Sequence, residues 1–301
     1  MMGFEASYLK LATAVLEKRA AEARRLLSAC TLCPWECIID RTQGEKGHCR
    51  APAGAVVSGF NAHFGEEPTL VGYGGSGTIF FSHCNLDCVF CQNWEISHQG
   101  EGKEVSPLEL ARIMLALQQR GCHNINLVTP SPHVAPILQA LLTARDQGLR
   151  VPLVYNCGGY ESVATLRLLE GIVDIYMPDF KYGETADAER CSGPPDYPYR
   201  ARHALREMQH QVGDLETDEQ GIAQRGLLVR HLVLPGGLAG TKDVVLFLAE
   251  QISPHCAVNI MGQYYPAYRA GQYPPLDRQV NSKEVREARN IATAAGLRLV
   301  K

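Results

Sequence analysis

The stretch INLVTPSPHVAPILQALLTARDQGLRVPLVYN, residues 125 to 156, contains one full turn of the pattern on which the fold rests. It opens with the apolar run INLVT (125 to 129), continues into VAPILQALLTARDQG (134 to 148), whose apolar residues recur at helical spacing, and closes on the apolar run VPLVYN (151 to 156). This periodicity predicts a strand, a helix and a strand. Strands that are apolar on both faces must be covered on both faces. The two therefore lie parallel in a sheet flanked by helices, joined by a right-handed crossover.

The same alternation extends to either side. The runs TIFFS (78 to 82), VDIYMPD (173 to 179), LLVRHLVL (227 to 234) and AVNIM (257 to 261) bring the number of strands to six. Helical patterns separate or follow them: PLELARIMLALQQR (107 to 120), SVATLRLLEG (162 to 171), a segment through HALREMQHQVGDL (203 to 215), KDVVLFLAEQI (242 to 252) and SKEVREARNIATAAG (282 to 296). Six such units predict an α/β fold, a partial (βα)6 TIM-like barrel spanning residues 76 to 301. The stretch GETADAERCSGPPDYPYR (183 to 200), rich in Gly, Pro and acid, is expected to be a long loop at the functional end.

Residues 1 to 75 read as an N-terminal helix with a cysteine-rich extension. Residues 7 to 28 alternate apolar and charged side chains with helical period and should dock onto the barrel. Residues 30 to 50 carry four cysteines and too little apolar sequence for a core of their own, so a metal or a neighbour must order them. Gly72, Gly74, Gly75 and Gly77 are too irregular for a phosphate-binding fingerprint and read as a flexible turn.

The chain has 301 residues, 46% of them hydrophobic and 20% charged, enough to bury a sizeable core. Its formal charge of −3 lacks the basic excess that would make DNA or an anionic membrane the expected partner. No apolar run reaches the roughly 18 residues of a spanning helix. Glu5, Lys10, Glu17, Lys18 and Arg19 occupy the place of a secretory signal's apolar run, so the expected compartment is the cytoplasm. In that reducing setting, eleven cysteines point to metal ligation or thiol chemistry in preference to disulfides.

Three of them follow the first barrel strand in the order SHCNLDCVFCQN, placing Cys84, Cys88 and Cys91 on a loop at the C-terminal mouth of a parallel barrel. Thiolates select zinc or iron–sulfur clusters, and a four-iron cluster normally takes four cysteines. Three leave one iron open. A distant fourth ligand would make the site an electron carrier, a bound small molecule would make it a catalyst, and a zinc knuckle or three unrelated core thiols are the structural readings.

The pattern Cys-x3-Cys-x2-Cys, with Phe90 before the third cysteine, resembles the signature of the radical S-adenosylmethionine superfamily. That resemblance implies a 4Fe-4S cluster on Cys84, Cys88 and Cys91 whose open iron chelates S-adenosylmethionine and whose electron cleaves it to a 5'-deoxyadenosyl radical. The stretches CTLCPWECIIDRTQGEKGHC (30 to 49), FCQNWEIS (90 to 97), EMQHQVGDL (207 to 215) and RGLLVRHLVLPG (225 to 236) resemble the branch related to pyruvate formate-lyase activating enzymes that carries an extra N-terminal cysteine set. It implies an oxidoreductase that abstracts hydrogen from a substrate, in an activating enzyme a protein glycine, with flavodoxin or ferredoxin as reductant. A radical methyltransferase or small-molecule modifier fits the same platform.

By position, the resemblance places cofactor contacts at Thr129 and Ser131, where relatives carry a Gly-Gly-Glu run, and at Asn156, where they carry Asp. Met177 to Lys181 resembles a Met-x-Asp-x-Lys segment in which Lys181 would pair with the cofactor carboxylate and Asp179 would hold a polar network beside it. Arg230 matches an arginine near the cofactor, and Gln263 stands where the relatives have histidine.

Cys30, Cys33, Cys37 and Cys49 form a second set, for which a tetrahedral zinc, a second iron–sulfur cluster and packed free thiols are the alternatives. Cys122, Cys157, Cys191 and Cys256 read as structural, with Cys191 able to reach the mouth from the predicted loop. His83, His133 and His231 read as packed or surface imidazoles.

Overall fold

The computed structural model describes residues 4–300. Its strands are β1 (Ala55–His63), β2 (Ser76–Phe81), β3 (Lys103–Val105), β4 (Ile125–Val128), β5 (Leu153–Cys157), β6 (Ile175–Pro178), β7 (Glu216–Thr217), β8 (Ala223–Leu232), β9 (Ala257–Met261) and β10 (Arg298–Leu299). The sheet runs in the order β10-β9-β8-β6-β5-β4-β2-β1-β3, with β7 paired to β8. Neighbours from β2 through β9 are parallel and follow chain order, which makes six βα units of a partial TIM-like barrel. One margin is extended by β10, parallel to β9, and the other by β1 and β3, both antiparallel.

Alternation along the strands sorts side chains between two cores. Outward residues such as Ile79, Phe81, Leu127 and Tyr155 pack under the helices. Inward residues Val154, Ile175, Met177 and Leu228 meet Leu70 in a smaller lumen core. Leu70 arrives on a strap, residues 64 to 71, that leaves β1 and turns into the lumen. Asn259 of β9 donates to Glu67 at 2.8 Å, Arg230 of β8 meets Glu66 at 3.2 Å, and Thr69 donates to the Gly221 carbonyl at 2.8 Å. The strap thus connects the β1 side of the sheet to β8 and β9 through side chains.

The helix Pro107–Gln119 begins as its sequence dictates, with Pro107 in the first turn and a reciprocal capping box between Ser106 and Glu109. The amphipathic N-terminal segment forms the helix Thr13–Arg25, which lays Leu16, Ala20 and Ala23 against the helix Val134–Asp146.

Two expectations are corrected. Residues 183 to 200 are not a long loop: they form the helix Thr185–Ser192 and the first turn of the helix Tyr197–Val212. Ala, Glu and Arg between two breakers suffice for two turns, Gly193 to Asp196 confine the break, and Pro198 lies in a first turn, where its missing N–H costs nothing. The stretch before Ser76 also supplies a nine-residue strand, β1, paired to the first parallel strand. Its mixed pattern, fully buried only in its first three residues, gave no clean alternation to read. Among the described residues no helix is long and apolar enough to cross a membrane.

Candidate active site

The loop after β2 is pinned from three sides. Asp87 and Val89 donate backbone N–H groups to the carbonyls of Ser192 and Cys191, both at 2.9 Å, so the end of the helix Thr185–Ser192 acts as a splint. Trp35 donates to the Asn85 carbonyl at 2.8 Å, while the Asn85 side chain donates to the Tyr160 carbonyl at 2.6 Å. The Asp87 carboxylate takes His48 and Arg50, each at 2.9 Å, and His98 at 3.5 Å, and these partners hold it well below the usual carboxylate range. His83, just before the first cysteine, takes left-handed backbone (φ 71°).

Each thiol of the triplet has a donor or hydroxyl beside it. The Leu86 N–H reaches Cys84 Sγ at 3.4 Å, the Ser192 hydroxyl donates to Cys88 Sγ at 3.0 Å, and Ser97 Oγ lies 3.1 Å from Cys91 Sγ. Burial raises the Cys84 thiol and pushes Cys88 up to about 11. For Cys91 burial pulls the same way, but hydrogen bonds from His98 and Ser97 outweigh it and lower the thiol. Among the described residues no three His, Cys, Asp or Glu side chains converge as ligands of a single ion. In a polynuclear cluster each cysteine binds its own iron, so spread donors on one loop suit that chemistry.

Cys88 and Cys91 form one wall of a cavity of about 460 Å³, within the usual range for small-molecule sites. Asn156, Asp179, Lys181, Arg230 and Gln263 line it elsewhere. The Lys181 ammonium lies 2.5 Å from Asp179, and Arg230 reaches Asp179 at 3.1 Å, Asn156 at 2.8 Å and Glu66 at 3.2 Å. Burial opposes ionisation of Asp179, but Lys181 and Arg230 prevail and hold its carboxyl low. Glu66 goes the other way: burial raises it, against the pull of Arg230. Two cations and two carboxyls thus sit in one water-poor network beside the thiols. Such a set can accept a ligand bearing both an ammonium and a carboxylate by exchanging partners.

Five of the seven residues expected at a cofactor therefore line one cavity, and two do not. Ser131 is buried and donates to Glu161 at 2.5 Å; Thr129, in left-handed backbone (φ 59°), gives its N–H to the Asn156 carbonyl at 2.8 Å. Cys191 is buried behind the triplet loop, and Cys157 is buried in β5. His133 and His231 are buried against backbone carbonyls and pushed down to about 3 and about 4 by burial, which keeps them neutral. Sequence reasoning missed Glu66, Tyr197, whose hydroxyl accepts the Lys181 N–H at 2.9 Å, and His98 beside Cys91. The adjacent acids Glu66 and Glu67, preceding a prolyl helix start, were the one available signal, and the strap carrying them lies before the predicted barrel.

A parallel partial barrel whose first loop carries three thiols, two of them lining a cavity with paired charges, has the layout of a cofactor-dependent radical enzyme. Residues 78–197 match the Radical SAM superfamily. The chain is 32% identical over 296 residues to the uncharacterized protein MJ0674 of Methanocaldococcus jannaschii, the alignment covering 95% of this chain and 80% of that protein. The chain belongs to the radical SAM superfamily, and membership implies a 4Fe-4S cluster and S-adenosylmethionine. The crystal structure of Streptococcus suis SuiB bound to precursor peptide SuiA superposes with a TM-score of 0.48 at 10% identity, over 72% of this chain and 46% of that one.

Proposed function

We propose that Cys84, Cys88 and Cys91 hold a 4Fe-4S cluster and that the adjacent cavity binds S-adenosylmethionine. Bound together, the two supply one-electron reductive cleavage to methionine and a 5'-deoxyadenosyl radical, which takes hydrogen from a substrate. The chain's own residues bind and orient. Lys181 and Arg230 offer cations to a carboxylate, Asp179 and Glu66 offer acceptors to an ammonium, and Asn156 and Gln263 present neutral hydrogen-bonding groups. The observation that carries this reading is the shared cavity, in which Cys88 and Cys91 face the Asp179–Lys181–Arg230 network. Electrons would come from a flavodoxin or ferredoxin.

For the hydrogen donor we propose a glycine of a partner protein, on the resemblance of Met177 to Lys181 and of the flanking stretches to activating enzymes. Anaerobically reconstituted, reduced protein given S-adenosylmethionine should form 5'-deoxyadenosine, and Cys88→Ala should abolish it. Product formed equally well by the variant would remove the cluster from the reaction. With a candidate glycyl-radical partner added, electron paramagnetic resonance should show a carbon-centred doublet that is absent without S-adenosylmethionine. A methylated product instead would replace the glycine reading by methyl transfer.

A further inference from the structure

Residues 30 to 50 take no part in the proposed radical chemistry, yet they are built tightly. The Cys30 N–H donates to the Ile39 carbonyl at 2.8 Å and the Ile38 N–H to the Cys30 carbonyl at 3.1 Å, closing a loop around Cys33 and Cys37. Glu36 (φ 43°), Ile38 (φ 54°) and Arg50 (φ 60°) all adopt left-handed backbone, which for a β-branched residue such as Ile38 is a marked outlier. Strain of this kind persists only where surrounding contacts over-determine it. At Gly47, a Cβ would lie 2.8 Å from Cys37 Sγ, so the chain must pass this close to the sulfur without a side chain.

The four cysteines belong to one short segment, and each sulfur has an N–H donor beside it. Arg41 Nη1 lies 3.8 Å from Cys30 Sγ, and the His48 backbone N–H reaches Cys37 Sγ at 3.5 Å. The backbone amides of Trp35 and Ala51 do the same for Cys33 and Cys49. The sulfurs are near enough to feel one another's charge, Cys33 with Cys30 and Cys49, and Cys49 with Cys30 and Cys37. Burial raises the Cys33 and Cys49 thiols against these donors, so the donors meet strong acceptors only where a metal displaces the thiol protons.

Arg41 supplies the independent sign. It is 2% exposed, its Nη2 donates to the carbonyls of Pro52 and Pro132, and its Nε has no partner. Its contacts with other polar groups are thus two neutral carbonyls and the Cys30 sulfur. A guanidinium stays charged when buried and needs an anion near it. Four metal-bound thiolates carry more negative charge than one zinc or one four-iron core neutralises, and they would give Arg41 its counter-charge.

We infer that Cys30, Cys33, Cys37 and Cys49 are the thiolate ligands of a second, closed metal centre, with Arg41 as its buried counter-ion. Because no three of these side chains converge on a single ion, the centre is assigned as an iron–sulfur cluster, in which each cysteine takes its own iron. The centre also braces the first one, because Trp35, His48 and Arg50 of the same segment are the residues that hold Asn85 and Asp87 in the triplet loop.

The test removes the triplet first, so that its outcome does not depend on the radical reading. The full chain with Cys84→Ser, Cys88→Ser and Cys91→Ser, purified and reconstituted anaerobically, should retain about four irons with matching sulfide per chain. Zinc, iron and sulfide analyses read this, and one tightly held zinc in place of iron would overturn the cluster assignment. Adding Cys33→Ser and Cys37→Ser should abolish the retained metal. Arg41→Met should release it to a chelator at least ten-fold faster than Arg41→Lys does. A triplet-free chain that folds by circular dichroism, holds no metal and titrates all four thiols would overturn the inference. Should that variant not fold, the wild-type protein decides: about eight irons support a second cluster, and four irons, with or without zinc, refute it.

Discussion

Asp179 accepts from two cations at once, and the consequences of disturbing it can be stated residue by residue. Lys181 is held by Asp179 at 2.5 Å and anchored through its own backbone N–H on Tyr197, so its ammonium is positioned and cannot wander into solvent. Lys181→Met should weaken S-adenosylmethionine binding by about 2 kcal/mol, roughly thirty-fold in Kd, with Lys181→Arg recovering part of the loss. Anaerobic titration calorimetry on the reconstituted protein measures it, and an unchanged Kd would remove Lys181 from the cofactor site. A second residue-scale prediction concerns pH. His231 is fully buried between the Phe180 carbonyl and Thr241, and burial lowers it to about 4. The unfolded chain takes up a proton near pH 6.5 and the folded chain does not until near pH 4. Stability is therefore complete above 6.5 and lost as pH falls toward 4, by about 3 kcal/mol from this imidazole alone. Replacing it by Asn should flatten the dependence of the urea midpoint on pH across that window; a slope identical to wild type would contradict the assignment.

Elements differ in how plainly the sequence announces them. AVNIM at 257 to 261 is a strand with the bounds its apolar run predicts, and the helix over Val134–Asp146 falls within the stretch its periodicity marks. Burial on both faces leaves unbroken apolar runs, and those are the easiest to read. The strap was illegible for the opposite reason: Leu70 is one apolar residue in a four-residue helix, and its lumen partners come from strands more than 80 residues away. Within the candidate site, Asn156, Asp179, Lys181 and Arg230 were named on the resemblance, and the structure gathers them on one cavity near the mouth-side ends of parallel strands. Ser131 was misplaced because the chain turns into helix there and aims its hydroxyl at Glu161, a partner from the next connection. At this scale the strap is testable by truncation. Leu70→Ala leaves a hole among Val154, Ile175, Met177 and Leu228 and should cost about 2–5 kcal/mol in urea unfolding. A cost under about 1 kcal/mol would show that the lumen collapses around the loss.

For the molecule as a whole, two segments of the chain's first quarter serve the same mouth from opposite directions. Residues 30 to 50 brace the triplet loop from outside, and the strap brings Glu66 to Arg230 from within. Ligand binding in the cavity should therefore slow amide exchange in the strap and in β8 together, although 157 residues separate Glu66 from Ala223. Hydrogen-exchange mass spectrometry with and without S-adenosylmethionine reads this directly, and protection confined to β8 would deny the connection. One consequence of the strap reaches further. Elsewhere around the barrel, neighbouring strands are sewn together by rows of peptide hydrogen bonds, and prising them apart means breaking several rungs at once. Between the strap that leaves β1 and the strands β8 and β9 the seam is a few side-chain handshakes, Glu66 with Arg230 and Glu67 with Asn259. The flank there is the cheapest place to part, since it can open at the loss of a few side-chain contacts while every rung of the wall stays joined.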